Sequence, residues 1–211
     1  MRTPEWLTAL TFSMAALIVT GCSFNHPNNM IRIVDVRQGT SYTCGVSCAQ
    51  AILNYYGIYI REDLLSEEFG TTEDAGTSPA QLVSGFEAYG LSAAIKENTT
   101  LDDLRENINS RIPTMVAIQA WLDEYPPPDW NNNWEDGHWV IAIGMDDKNI
   151  YLEDPSLLGS RGWMTQTDFL ARWHDYTGAS PCCDPEDRKW VHLSISVQGK
   201  SFKGTSYDHI D

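Results

Sequence analysis

Four residues have the types and the settings for thiol chemistry: Gln38, Cys44, His138 and Asp154. Apolar residues at Val46, Ala49, Ile52, Leu53 and Tyr56 recur at a helical period, with Gly57 as the stop, so Cys44 falls at the start of a predicted helix over 44–56. Unpaired backbone N–H groups and the helix dipole favour an anion there, which is where a thiol becomes a nucleophile. A lone cysteine at a helix start is more often inert packing, so the reading needs partners. Gln38 lies six residues upstream in the turn-rich loop 38–43, where a side-chain amide can donate to an oxyanion alongside the Cys44 N–H. His138 opens the apolar run His138-Trp139-Val140-Ile141-Ala142-Ile143, which holds its ring at the mouth of a strand. His26, His174, His192 and His209 have no comparable setting. Asp154 ends the next strand of the same hairpin and therefore lies at the His138 end, where a carboxylate can orient an imidazole. A plain Asp154-Pro155 turn is compatible with that role.

The elements that must hold these residues follow an α+β pattern, helices first and an antiparallel sheet later. A strand over 31–36 precedes the loop. Further helices are predicted over 62–69, 79–89 and 101–111, and strands over 91–95, 114–121, 138–145 and 149–153. Asp146-Asp147-Lys148 turns the last two strands into a hairpin. A helix over 168–176 and a strand over 190–197 complete the core. No internal repeat is visible.

The run Gln38-Gly39-Thr40-Ser41-Tyr42-Thr43-Cys44-Gly45, the Tyr55-Tyr56-Gly57 helix end, Gly137-His138-Trp139-Val140 and Asp154-Pro155-Ser156 resemble the bacteriocin-processing cysteine peptidases. This family of the papain-like clan removes double-glycine leader peptides, and the resemblance covers roughly residues 33–197. It implies a papain-like fold, with the cysteine in an N-terminal helical part and the histidine and aspartate on the sheet. It also implies a peptide or protein substrate, cleaved by a Cys44-His138-Asp154 triad with Gln38 in the oxyanion hole. No cofactor is expected. Two other uses of the same apparatus are transglutaminase-like acyl transfer and a peptide-binding module without turnover. Docking relatives have typically lost the cysteine, whereas Cys44 is present.

The rest of the chain bounds the setting. Residues 6–20 are uncharged and largely apolar, too short for a comfortable membrane span, and end in Val19-Thr20-Gly21-Cys22. That pattern resembles a bacterial lipoprotein signal with Cys22 as the lipidated residue. The expected division is a signal peptide over 1–21, a tether over 22–30, the peptidase domain over 31–198 and a tail over 199–211. The expected place is the cell envelope, anchored by lipid to a bacterial membrane on its extracytoplasmic face. Fourteen Lys and Arg against 29 Asp and Glu give a formal charge of −15, which repels phosphate backbones and excludes nucleic acid as a partner. Five cysteines are too few for a disulfide scaffold of this length. A zinc site from Cys44, Cys48, Cys182 and Cys183 would use adjacent ligands that fit a tetrahedron badly, so no metal is expected. Residues 123–136 carry five acids, three consecutive prolines, Trp130 and Trp134. They read as a solvated loop or as a substrate lid with both tryptophans in contact.

Overall fold

A computed structural model describes residue 27 and residues 29–121, 129–157, 159–177 and 187–200. Cys22, Cys182 and Cys183, and the expected signal peptide and tail but for residues 199–200, lie outside the described residues. Five helices and eight strands follow in the order α1 (Cys44–Tyr55), α2 (Glu62–Glu68), α3 (Pro79–Ala88), β1 (Ser92–Lys96), α4 (Leu101–Asn109), β2 (Thr114–Gln119), β3 (Gly137–Met145), β4 (Asn149–Glu153), β5 (Gly162–Thr165), α5 (Gln166–Arg172), β6 (His174–Thr177), β7 (Arg188–Val191) and β8 (Ser194–Gln198). Strands β1-β8-β2-β3-β4-β5 form one antiparallel sheet, and β6 and β7 form a separate two-stranded ribbon. This is the papain-like α+β architecture.

Helix α1 is the central helix. Nine of its twelve residues are buried, so it cannot show one polar face, and it is built of small residues (Cys44, Gly45, Ser47, Cys48, Ala49, Ala51) that let neighbours approach all round. Gly57, at φ 81°, ends it in the left-handed conformation that glycine adopts without strain. Capping boxes start α3 at Ser78–Gln81 and α4 at Thr100–Asp103. Strands β2 and β3 are covered on both faces, which is why they read as nearly continuous apolar runs instead of alternating ones.

Four expectations change. Residues 31–36 are extended, with Ile31 and Ile33 buried and Arg32 and Val34 exposed, but they form no ladder. A bond from Ile31 N to Ile143 O fixes one end, and Val36 N donates to the Glu153 carboxylate, so a side chain takes the place of a partner strand. The strand expected over 114–121 stops at Gln119, because Trp121 takes a positive φ of 67°. The helix expected over 168–176 ends at Arg172; His174–Thr177 pairs with β7, where its aromatic and β-branched residues suit a pleated surface. The strand expected over 190–197 is two strands, split where His192 takes φ 50°. Strand β5 was not anticipated; it pairs with β4 from Asn149↔Thr165 to Leu152↔Gly162.

Candidate functional site

Sheet register brings His138 and Asp154 together. Ile141 pairs with Glu153, so Asp154 follows opposite Val140, on the face that His138 shares two residues earlier. His138 Nε2 lies 2.7 Å from Asp154 Oδ1, and both residues are buried, at 5% and 6% exposure. A carboxylate only accepts, so Nε2 carries the proton and Nδ1 is left for another partner. Cys44 is the second group that acts on the ring. Burial alone pulls the His138 pKa down. The bond to Asp154, the nearby Cys44 side chain and the charges of both outweigh it, and the value stands at about 9. The imidazolium form is thus held between a carboxylate and a thiol at neutral pH.

Cys44 occupies a helix start that its own sequence leaves open. The N-cap Thr43 makes no side-chain cap bond, because its hydroxyl engages Thr40, and α1 has no acid in its first turn. The first turn thus holds no capping side chain or acid of its own against the positive end of the helix dipole. Cys48, one turn on, is fully buried and donates to the Trp139 carbonyl. Burial, first, and the charges of Cys44 and Asp154 raise its pKa, so it is an inert core thiol. Among the described residues no cluster of three metal-ligating side chains occurs.

Gln38 belongs to a loop pinned from two sides. Its N–H donates to Pro155 O at 2.9 Å, and its Oε1 accepts from Ser156 Oγ at 3.1 Å. Its Nε2 gives one proton to Thr40 O at 2.8 Å, which leaves the second amide proton for another acceptor. On the other side Glu62, the first residue of α2, accepts from Gly39 N with both oxygens at 3.0 Å and from Ser47 Oγ at 2.7 Å. A Cβ at Gly39 would lie 2.7 Å from Glu62 Oε2, so only glycine permits this approach.

Two site residues escaped the sequence reading. Glu62 has the signature of an ordinary acid in a first helical turn, and only the fold turns it away from its own helix. Trp121 donates from Nε1 to Asp154 Oδ2 at 3.1 Å while its ring stays 54% exposed. With Ser156 N on Oδ1 at 2.8 Å, both oxygens of Asp154 are engaged. No local pattern marks Trp121; its positive φ is imposed by the tertiary structure. The tryptophans of the acidic loop are half-buried and packed on the protein. The Arg172 guanidinium stacks 3.8 Å over Trp130, and Trp134 lies 4.4 Å from the His174 ring, with Lys189 at 4.8 Å. Residues 122–128 of that loop lie outside the described residues.

The family model described as "Peptidase C39 family" matches residues 32–177. An uncharacterized protein of Methanothermobacter marburgensis is 28% identical over 124 residues, 59% of this chain and 72% of the relative. Cysteine protease effector 1 of Escherichia coli is 25% identical over 147 residues; the match spans 69% of this chain but only 26% of that protein. The peptidase domain of Streptococcus ComA, a bi-functional ABC transporter involved in quorum sensing, superposes with a TM-score of 0.56 at 15% identity, over 81% of this chain and 99% of that one. A double-glycine motif protease from an AMS/PCAT transporter, solved with its leader peptide, superposes with a TM-score of 0.52 at 15% identity, over 80% and 92%. At that identity the likeness is one of fold.

Proposed function

The chain belongs to the peptidase C39 family and is a cysteine peptidase, and from that premise we propose that Cys44, His138 and Asp154 are its triad and Gln38 its oxyanion donor. One observation carries the assignment: a single buried imidazole bonded to Asp154, with Cys44 near enough to raise its pKa. The Cys44 thiolate attacks the scissile carbonyl, forming a C–S bond. Charge moves to the carbonyl oxygen, which accepts from Gln38 Nε2–H and the Cys44 N–H. His138 gives its Nδ1 proton to the departing amine as the C–N bond breaks. Water, deprotonated by the now neutral His138, then hydrolyses the thioester and restores the thiolate–imidazolium pair. Asp154 holds the ring in place throughout.

The substrate is a peptide or protein segment. The leader pattern over 1–22 supports an extracytoplasmic enzyme anchored to the membrane through Cys22. Two experiments test the proposal. Hydrolysis of a mixed peptide library by the purified chain should vanish in Cys44→Ala, and retained cleavage would overturn the triad. Fatty-acid labelling in cells should vanish in Cys22→Ala and leave the protein unanchored; an unlabelled wild type would overturn the anchor.

A further inference from the structure

A second acid stands within electrostatic reach of His138. Asp175 lies on β6, and a Cβ added to Gly137, the residue before His138, would meet Asp175 Oδ1 at 2.5 Å. The Asp175 carboxyl accepts from Tyr176 N at 2.9 Å and from Gln119 Nε2 at 3.4 Å. Among the described residues no Lys, Arg or His nitrogen lies within ion-pair distance of it. It lines a recess of about 70 Å³ between the start of α3 and the β6–β7 ribbon, with Thr77, Trp139, Tyr176, Trp190 and Leu193 as the other main walls. Trp139 and Thr77 also pack on the residue after the nucleophile, since a Cβ at Gly45 would meet each at 3.1 Å. The recess is thus bounded by Trp139, the residue after His138, and by Thr77, which packs on the residue after Cys44.

Its chemistry is selective. Burial drives the Asp175 carboxyl up to about 7, against the Tyr176 and Gln119 bonds and the charge of His138, which lower it. A carboxyl so placed gains from an incoming cation what it lost in leaving water. Trp139 adds a ring wall of the kind that attracts ammonium groups, and Trp190 already carries the Arg188 guanidinium 3.9 Å over its ring. The volume suits the end of one unbranched side chain. A second carboxylate substrate group would be repelled, and the net charge of −15 draws basic segments towards the protein.

We propose that this recess is a specificity subsite that takes the ammonium end of a substrate lysine next to the scissile bond, with Asp175 as counter-ion. The proposal rests on the reading of Cys44 as nucleophile. The test is the rate at which peptidyl vinyl sulfones label Cys44 in the full chain, located by mass spectrometry. The probes scan lysine against norleucine at each of the three positions before the electrophile, and matching fluorogenic peptides report hydrolysis. Lysine should label about tenfold faster than norleucine at one position, the size of a charge-assisted bond. That ratio should fall to about one in Asp175→Asn and persist in Asp175→Glu. A wild-type ratio near one at all three positions overturns the subsite, and so does a ratio that survives in Asp175→Asn. Selective labelling of Cys44 without any hydrolysis supports the subsite and overturns the peptidase reading. Absence of labelling overturns both.

Discussion

Ser156 Oγ donates to Gln38 Oε1 at 3.1 Å, so the proposed oxyanion donor is oriented by the second residue after the proposed triad acid. The adjoining bond from Gln38 N to Pro155 O makes the loop before Cys44 and the turn after Asp154 one unit. A peptide that strains one strains the other.

Loss of that amide is the first prediction. Gln38→Ala should lower turnover by about 10²–10³ with little change in the Michaelis constant, as for other single oxyanion donors. Ser156→Ala, which only loosens the orientation, should cost less. Steady-state kinetics on one peptide substrate would compare the two, and equal kcat values for Gln38→Ala and wild type would remove Gln38 from the site.

Glu62 is a positioning residue. In Glu62→Ala the Gly39 N–H loses its acceptor and the 38–43 loop loses one of its two anchors. We expect kcat to fall about tenfold or more while the helix content is retained, with partial rescue by Glu62→Gln, which keeps one accepting oxygen. Gly39→Ala should mimic the loss by driving a methyl group against the carboxylate. Failure of Gln to rescue relative to Ala would assign Glu62 a charge role instead.

The pH profile follows from His138. Its pKa of about 9 places the loss of the imidazolium on the alkaline side, so Cys44-dependent activity should fall as pH rises through about 9. The bond to Asp154 is a main cause of the rise, so Asp154→Asn should move this limb to lower pH. Measurement of kcat/KM against pH for both proteins checks it; an unmoved limb would detach Asp154 from the ring.

Stability should report on Asp175. Its folded pKa of about 7 is above the ordinary 3.8, so the folded state holds the proton more tightly than the unfolded one. This contribution is fully present below pH 3.8 and is lost as pH rises through 7. The wild-type Tm, taken relative to Asp175→Asn, should therefore fall between pH 4 and pH 8. Comparison with the variant cancels the similar loss from His138 between 6.5 and 9. A difference that grows with pH would contradict the burial of this carboxyl.

Removal of the Trp121 N–H should act on the chemical step. Trp121→Phe deprives Asp154 Oδ2 of its donor, and water replaces it only in part at a ring that is half exposed. We expect kcat/KM to drop by about tenfold, with restoration by no other aromatic residue. Wild-type kinetics in Trp121→Phe would show that solvent satisfies Asp154 unaided.

Short-range pattern in the chain already encodes part of this design. The helical period after Cys44, the apolar strand after His138 and the short turn at 146–148 specified three elements and their order. A hairpin turned at 146–148 then puts His138 and Asp154 at one end, and the observed register agrees. Burial of β2 and β3 was legible for the same reason, as continuous apolar runs. The rest depends on contacts between segments far apart in the chain. Glu62 reaches Gly39 across 23 residues, Trp121 reaches Asp154 across 33, and Asp175 comes to lie beside Gly137 from another strand pair. None of these has a periodicity, because each is a single side chain whose partner is chosen by the packing of whole elements. The division of residues 188–198 into β7 and β8 has the same origin: propensity favours one strand throughout, and the two sheets that compete for its ends set the break at His192.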